Sequence, residues 1–184
     1  MGYWLINGPK TAALIPLGTI IFTPIFGSIV DKKGKAASLM MLGALLLIIA
    51  HVCLSLTDAK IFAYIGLLSL GVAFSLVPAA MWPAVAKIVP ESRLGTAYST
   101  MFTVQNWGLG LFFWGIGALL TAVNSDKLEA IKTGDAVYDY TIPILILVAC
   151  GVISIFLAFM LKKADKKQNY GLELPSNAKT GETA

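Results

Sequence analysis

Gly27-Ser28-Ile29-Val30-Asp31-Lys32-Lys33-Gly34-Lys35 is a short charged turn set between two apolar runs, residues 12 to 30 and 36 to 56. Each run is about long enough to cross a hydrocarbon core of roughly 30 Å at 1.5 Å per helical residue. The charges of the turn do not belong in lipid, so the turn marks one face of a membrane.

Composition agrees with that reading. Of 184 residues, 57% are apolar and only 13% are charged, with a mean hydropathy of +0.78. A water-soluble domain cannot cover that much apolar surface with so few polar groups. An integral membrane protein is the class that fits. Continuous apolar runs, rather than residues alternating every second position, predict helical spans. Five are expected, over about 12–30, 36–57, 61–86, 94–123 and 141–161. The fold class is therefore all-α, a polytopic membrane helix bundle. Residues 1–11 are expected to form an external loop, 12–161 the five-span domain, and 162–184 a disordered polar tail.

Basic residues set the expected orientation. Lys32, Lys33, Lys35, Lys87, Arg93, Lys162, Lys163, Lys166, Lys167 and Lys179 fall on one side, against Lys10, Lys60, Lys127 and Lys132 on the other. Ten against four makes the first side cytoplasmic. The N-terminus then lies outside and the C-terminus inside, as an odd number of spans requires.

The same composition argues against other classes. The net charge of +4 resides in short loops and the tail, so no nucleic-acid partner is expected. Cys53 and Cys150 lie inside apolar runs and read as small hydrophobes. No metal-ligand spacing, paired carboxylates or nucleophile triad points to an enzyme, a metal site or a cofactor.

The turn reads G-x-x-x-D-K-x-G-K. That spacing resembles the signature loop of the major facilitator superfamily of transporters, which joins the second and third helices of each six-helix half. The resemblance implies that Gly27, Asp31, Lys32, Gly34 and Lys35 form a gating loop. In the superfamily the acid of this loop docks near a helix end of the opposite half and holds the cytoplasmic side closed. Here the turn follows the first span instead of the second. The chain is therefore expected to match helices eight to twelve of a twelve-helix carrier, with the preceding helix and the N-terminal half missing from it.

A narrower resemblance rests on P-A-A-M-W-P at 78–83, V-P-E-S-R-L-G-T-A-Y at 89–98 and Q-N-W-G-L at 105–109. These phrases are similar to the lysosomal dipeptide transporter family and its bacterial relatives. They imply a carrier for short peptides, with uniport and an accessory glycoprotein in the animal members. The implied location is a bacterial inner membrane, or a lysosomal membrane for an animal relative.

Several residues carry two readings. Pro78 and Pro83 each remove a backbone donor inside the third span. They mark either a static kink or a flexing point, with Trp82 between them a candidate for the central cavity. Gln105 and Asn106 fall near mid-bilayer, where an amide needs a partner or a wet cavity. They are either interhelical glue or substrate contacts. His51 is expected to bond a neighbouring carbonyl rather than shuttle protons. Gly108, Gly110, Gly115 and Gly117 read as sites of close helix approach. The expected partners are a small polar or short-peptide substrate, the lipid bilayer, and the missing half or another membrane subunit. The alternative is a stand-alone five-span scaffold protein with no transport of its own.

Overall fold

The computed structural model describes residues 14–55 and 60–176. The expected external segment 1–11 and the tail beyond Ser176 lie outside the described residues. Long helices run over Leu14–Lys33 (α1), Ala36–Ser55 (α2), Lys60–Ile88 (α3), Leu94–Val123 (α4) and Thr141–Gln168 (α6). A short helix, Leu128–Thr133 (α5), lies in the α4–α6 connection. A single 3₁₀ turn, Glu91–Arg93, opens α4. Five of these helices are long and apolar enough to cross a membrane, as the sequence predicts. In hydrocarbon a helix satisfies every backbone group within its own segment, so long apolar runs have little alternative.

The bundle is held by small residues. α2 packs along both α3 and α6, and α1 packs along α3. Ala37, Ala50, Ala73, Ala80 and Ala84 are all buried along these seams. Gly43 faces Val77, Gly66 sits under the Ala50 carbonyl, and Gly151 sits against Ile48. Gly18 and Gly71 meet where α1 crosses α3, and the buried Ser75 hydroxyl donates to the Gly71 carbonyl at 2.9 Å. Close backbone approach gains dispersion contacts that lipid chains cannot match.

The glycines of α4 behave otherwise. A Cβ on Gly108, Gly110, Gly115 or Gly117 would meet nothing within 4 Å, so these are not seams among the described residues. The expectation of close approach there is corrected: the seam glycines are Gly18, Gly43, Gly66, Gly71 and Gly151. α4 has no buried residue, and Trp107 and Trp114 are more than 70% exposed. It joins α6 through a connection organised by Asn124. The Asn124 amide donates to the Leu120 and Asp139 carbonyls at 2.9 and 3.1 Å and accepts the Asp139 N–H at 2.7 Å. The Thr141 N–H donates to the Asp139 carboxylate at 2.9 Å, and bonds from Thr141 hold that carboxyl below the usual carboxylate range.

The C-terminal region also departs from expectation. α6 continues past Leu161 to Gln168, and residues 169–176 fold back over the basic end of the bundle instead of being disordered. Asn169 and Gly171, both left-handed at φ +55° and +73°, reverse the chain. Leu172 is then fully buried with Val30, Ala36, Ala80 and Ala84. The physical reason is an uncapped helix. α2 starts directly after Gly34-Lys35 with no side chain of its own suited to its first N–H groups. The returning segment supplies the acceptors. Lys35 N–H donates to the Glu173 carbonyl at 3.2 Å and Ala36 N–H to the Leu172 carbonyl at 3.0 Å. Ser38 N–H donates to the Glu173 carboxylate at 2.9 Å.

Two predictions follow from this packing. Gly151→Leu should destabilise the bundle by about 1–3 kcal/mol, because Ile48 already fills the space. Gly110→Leu should leave stability nearly unchanged, and thermal unfolding in detergent compares the pair. Gly34→Ala should cost about 1–2 kcal/mol from its φ of +70° alone, before any clash. The added Cβ would also run into the Leu174 backbone, so the measured loss should exceed that of Gly27→Ala, where nothing lies within 4 Å.

Candidate functional site

α1 carries its helix through Asp31, Lys32 and Lys33, and the Gly34 N–H closes it on the Val30 carbonyl at 2.9 Å. Gly34 and Lys35 both take left-handed backbone, φ +70° and +65°, which turns the chain straight into α2. Lys32, Lys33 and Lys35 are exposed at the edge of this turn, and Asp31 is exposed beside them. Lysines suit the negative end of the α1 dipole; an aspartate there does not. The Asp31 carboxylate accepts the Ser176 hydroxyl at 3.0 Å, and its carbonyl accepts the Ser176 N–H at 3.1 Å.

Around the turn the basic end forms one polar network. Lys87, in the last turn of α3, directs its ammonium at the carbonyls of Gly171 (2.9 Å), Leu174 and Pro175 (3.2 Å). The Ser38 hydroxyl donates to the Glu173 carboxylate at 2.7 Å. Lys162 donates to the Ser38 hydroxyl at 2.6 Å and lies 3.8 Å from Glu173. Asp165, only 6% exposed, accepts the Leu172 N–H at 2.9 Å. The sequence reading missed Lys87, Glu173 and Asp165. Their signal was the bare N-terminus of α2, which requires an acceptor from elsewhere.

Pro78 and Pro83 lie within α3, which remains one helix across both. Their missing N–H groups free the carbonyls of Phe74 and Ala79 from the helical ladder. Trp82 is half-buried against the first turns of α4. Its ring stacks on Phe102 at 4.8 Å and tilts against Tyr98 at 5.5 Å. The Tyr98 hydroxyl donates to the Trp82 carbonyl at 3.1 Å. This aromatic clasp ties α4 to α3 beside the two prolines.

Gln105 and Asn106 are exposed on α4, one turn beyond Phe102. Positions three and four apart share a helix face, so both lie near the clasp. The Asn106 amide donates to the Phe102 carbonyl at 2.8 Å. An apolar crevice of about 390 Å³ lies between α2, α3 and α6, lined by Met40, Val77, Met81 and Leu157 among others, and takes in neither amide. The structure thus groups Trp82, Gln105 and Asn106 loosely where α3 meets α4, with Trp82 five residues before Lys87 of the basic network. His51 bonds the Leu47 carbonyl through Nδ1 at 2.6 Å, as expected of a histidine satisfied by its own helix. No cluster of metal-ligating side chains occurs among the described residues.

Comparison with known proteins adds to this geometry. The chain is 39% identical over 98 residues to the lysosomal dipeptide transporter MFSD1 of Gallus gallus, covering 53% of this chain and 22% of that protein. It is 37% identical over 98 residues to the Homo sapiens protein of that name, covering 53% and 21%. It is 38% identical over 107 residues to the Mus musculus one, covering 58% and 23%. The matched region thus spans about a fifth of the length of these relatives. No solved structure matches the chain. The family model of the Major Facilitator Superfamily matches residues 11–176, the five apolar helices and the charged turn together, and the chain belongs to that superfamily.

Proposed function

We propose that this chain forms part of a membrane carrier that moves a small polar solute, in the class of di- or tripeptides, by alternating access. The observation that carries the reading is the family match over residues 11–176. The similarity to dipeptide transporters over half the chain supports the substrate class. In this reading the chain supplies the five spans matching helices eight to twelve. It binds substrate against further spans, supplied by the same polypeptide or by another membrane subunit. The end bearing Lys32, Lys33, Lys35, Lys87 and Lys162 faces the cytoplasm, which places the C-terminus inside and the N-terminus outside. The membrane is a bacterial inner membrane, or a lysosomal one for an animal source.

Asp31 is the gating residue, with Gly27, Lys32, Gly34 and Lys35 shaping the loop that presents it. A carboxylate at the negative end of its own helix is better placed against the N-terminus of another helix. Such a contact, made in only one of two conformations, biases the equilibrium by its differential free energy. Gln105 or Asn106 contacts the solute, because α4 leaves both uncovered at the depth where an amide most needs a partner. Trp82 and its prolines form the wall and the bend beside them.

Counterflow of a labelled dipeptide into proteoliposomes holding the assembled carrier tests the reading. Uptake competed by unlabelled dipeptides but not by free amino acids or sugars is expected; uptake with the reverse selectivity would exclude the peptide class. Asp31→Asn keeps the size and removes the charge. It should raise cysteine accessibility at the cytoplasmic side, and unchanged accessibility with normal expression would reduce Asp31 to a topology residue. Gln105→Leu and Asn106→Leu should differ: the solute-facing one weakens affinity with folding intact, the packing one lowers the unfolding temperature. Equal stability loss with unchanged affinity would assign both to packing.

A further inference from the structure

The segment Asn169–Ser176 touches the three places where the basic end of the bundle could come apart. It caps α2 through the Leu172 carbonyl and the Glu173 carbonyl and carboxylate. It is gripped by Lys87 at the end of α3, through the carbonyls of Gly171, Leu174 and Pro175. It grows directly out of α6, whose Lys162 reaches the Ser38–Glu173 pair. Its last described residue holds Asp31 by both side chain and backbone. Gly34 is left-handed and so close to Leu174 that no side chain fits between them.

Its attachment is nevertheless light. Leu172 is its fully buried side chain and its N–H bonds the buried Asp165 carboxylate, while Glu173 and Lys162 are about one-third exposed and the Ser176–Asp31 bond lies at the surface. A segment with one fully buried side chain, and with most of its side-chain hydrogen bonds partly open to water, opens at a free energy well below global unfolding. The polar groups that hold it, an ammonium among carbonyls and a carboxylate at a helix N-terminus, are ones that a single substitution removes without disturbing the small-residue seams.

We propose that residues 169–176 are a latch that positions the Asp31 turn, with Glu173 and Lys87 as its positioning residues. Closed, the latch holds the α1–α2 turn and the ends of α3 and α6 as one unit, so the carboxylate is presented in a fixed place. Open, it frees the turn while the bundle stays folded. The proposal rests on the reading of Asp31 as a gating residue. Its structural half is measured without substrate, so a failed uptake assay does not alter it.

The test is hydrogen exchange on the full chain in lipid nanodiscs, comparing Glu173→Gln and Lys87→Met with the parent. Amides from Lys35 to Ser38 should exchange roughly tenfold faster or more, while Gly43–Leu47, deep in α2, keep their protection. A spin-label pair at Lys32→Cys and Lys163→Cys, with Cys53 and Cys150 replaced by alanine, should show a broadened distance distribution in both variants. Unchanged exchange and distances would overturn the latch. So would protection lost along the whole of α2 and α3, which would make the segment part of the core. Should Lys87→Met fail to fold, Glu173→Gln, which keeps the side chain's size but removes its charge and one acceptor oxygen, decides the matter alone.

Discussion

The N-terminus of α2 is the constraint around which the basic end is arranged. A helix that begins at a membrane surface leaves its first N–H groups without intrahelical acceptors. At Lys35, Ala36 and Ser38 no local side chain meets that need. Two carbonyls and one carboxylate from the far end of the chain do so instead. The carboxylate also sits at the positive end of the helix dipole, where a negative charge is worth roughly 0.3–1 kcal/mol when exposed. Much else follows from this long-range cap. α6 extends beyond the bilayer to bring residues 169–176 within reach, Lys87 turns toward their carbonyls, and Gly34 can bear no side chain.

Within the bilayer a different rule applies, because burying apolar surface gains little when the solvent is itself apolar. Close approach at Gly43, Gly66 and Gly151 and the alanine seams provide the contact. α4 lies outside this scheme. It meets α3 chiefly through the Trp82–Tyr98–Phe102 clasp, while its Trp107, Phe113 and Trp114 are left exposed. In lipid this exposure is tolerable for Trp107 and Trp114. It is less so for Gln105, a polar amide exposed on the same helix.

What was legible in the sequence was whatever depends on composition over a window of twenty residues. The five spans, their order and the charged turn follow from apolar run length and from charges that lipid excludes. What was not legible depends on which neighbour a residue meets. Gly110 and Gly151 are the same residue in similar apolar surroundings, yet one faces open space and the other Ile48. The end of α6 was misread because Lys162, Lys163, Lys166 and Lys167 end a hydrophobic run without ending a helix; lysine is a good helix former once it reaches water. Leu172 and Leu174 stand two residues apart in a short stretch, and the burial of the first alone depends on contacts with α1, α2 and α3 that no local pattern encodes. Of the candidate site, the turn could be placed from its motif. The partners of Asp31, Trp82 and Asn106 could not, since each is a matter of tertiary geometry.

Asp31 stands against the dipole of its own helix. Its neighbours Lys32 and Lys33 are where a helix C-terminus favours cations, and an acid among them works against the same dipole. Those lysines offset part of that cost through water, where each such pair is worth little. The Ser176 hydroxyl and N–H supply two more bonds, one to the carboxylate and one to the backbone. Neither is a positive charge, so neither cancels the unfavourable end of α1. An acid held in place yet left electrostatically unsatisfied is what the gate proposed above requires. The fold fixes where Asp31 stands, and under the proposed gating role the remaining favourable interaction is left for a partner that comes and goes.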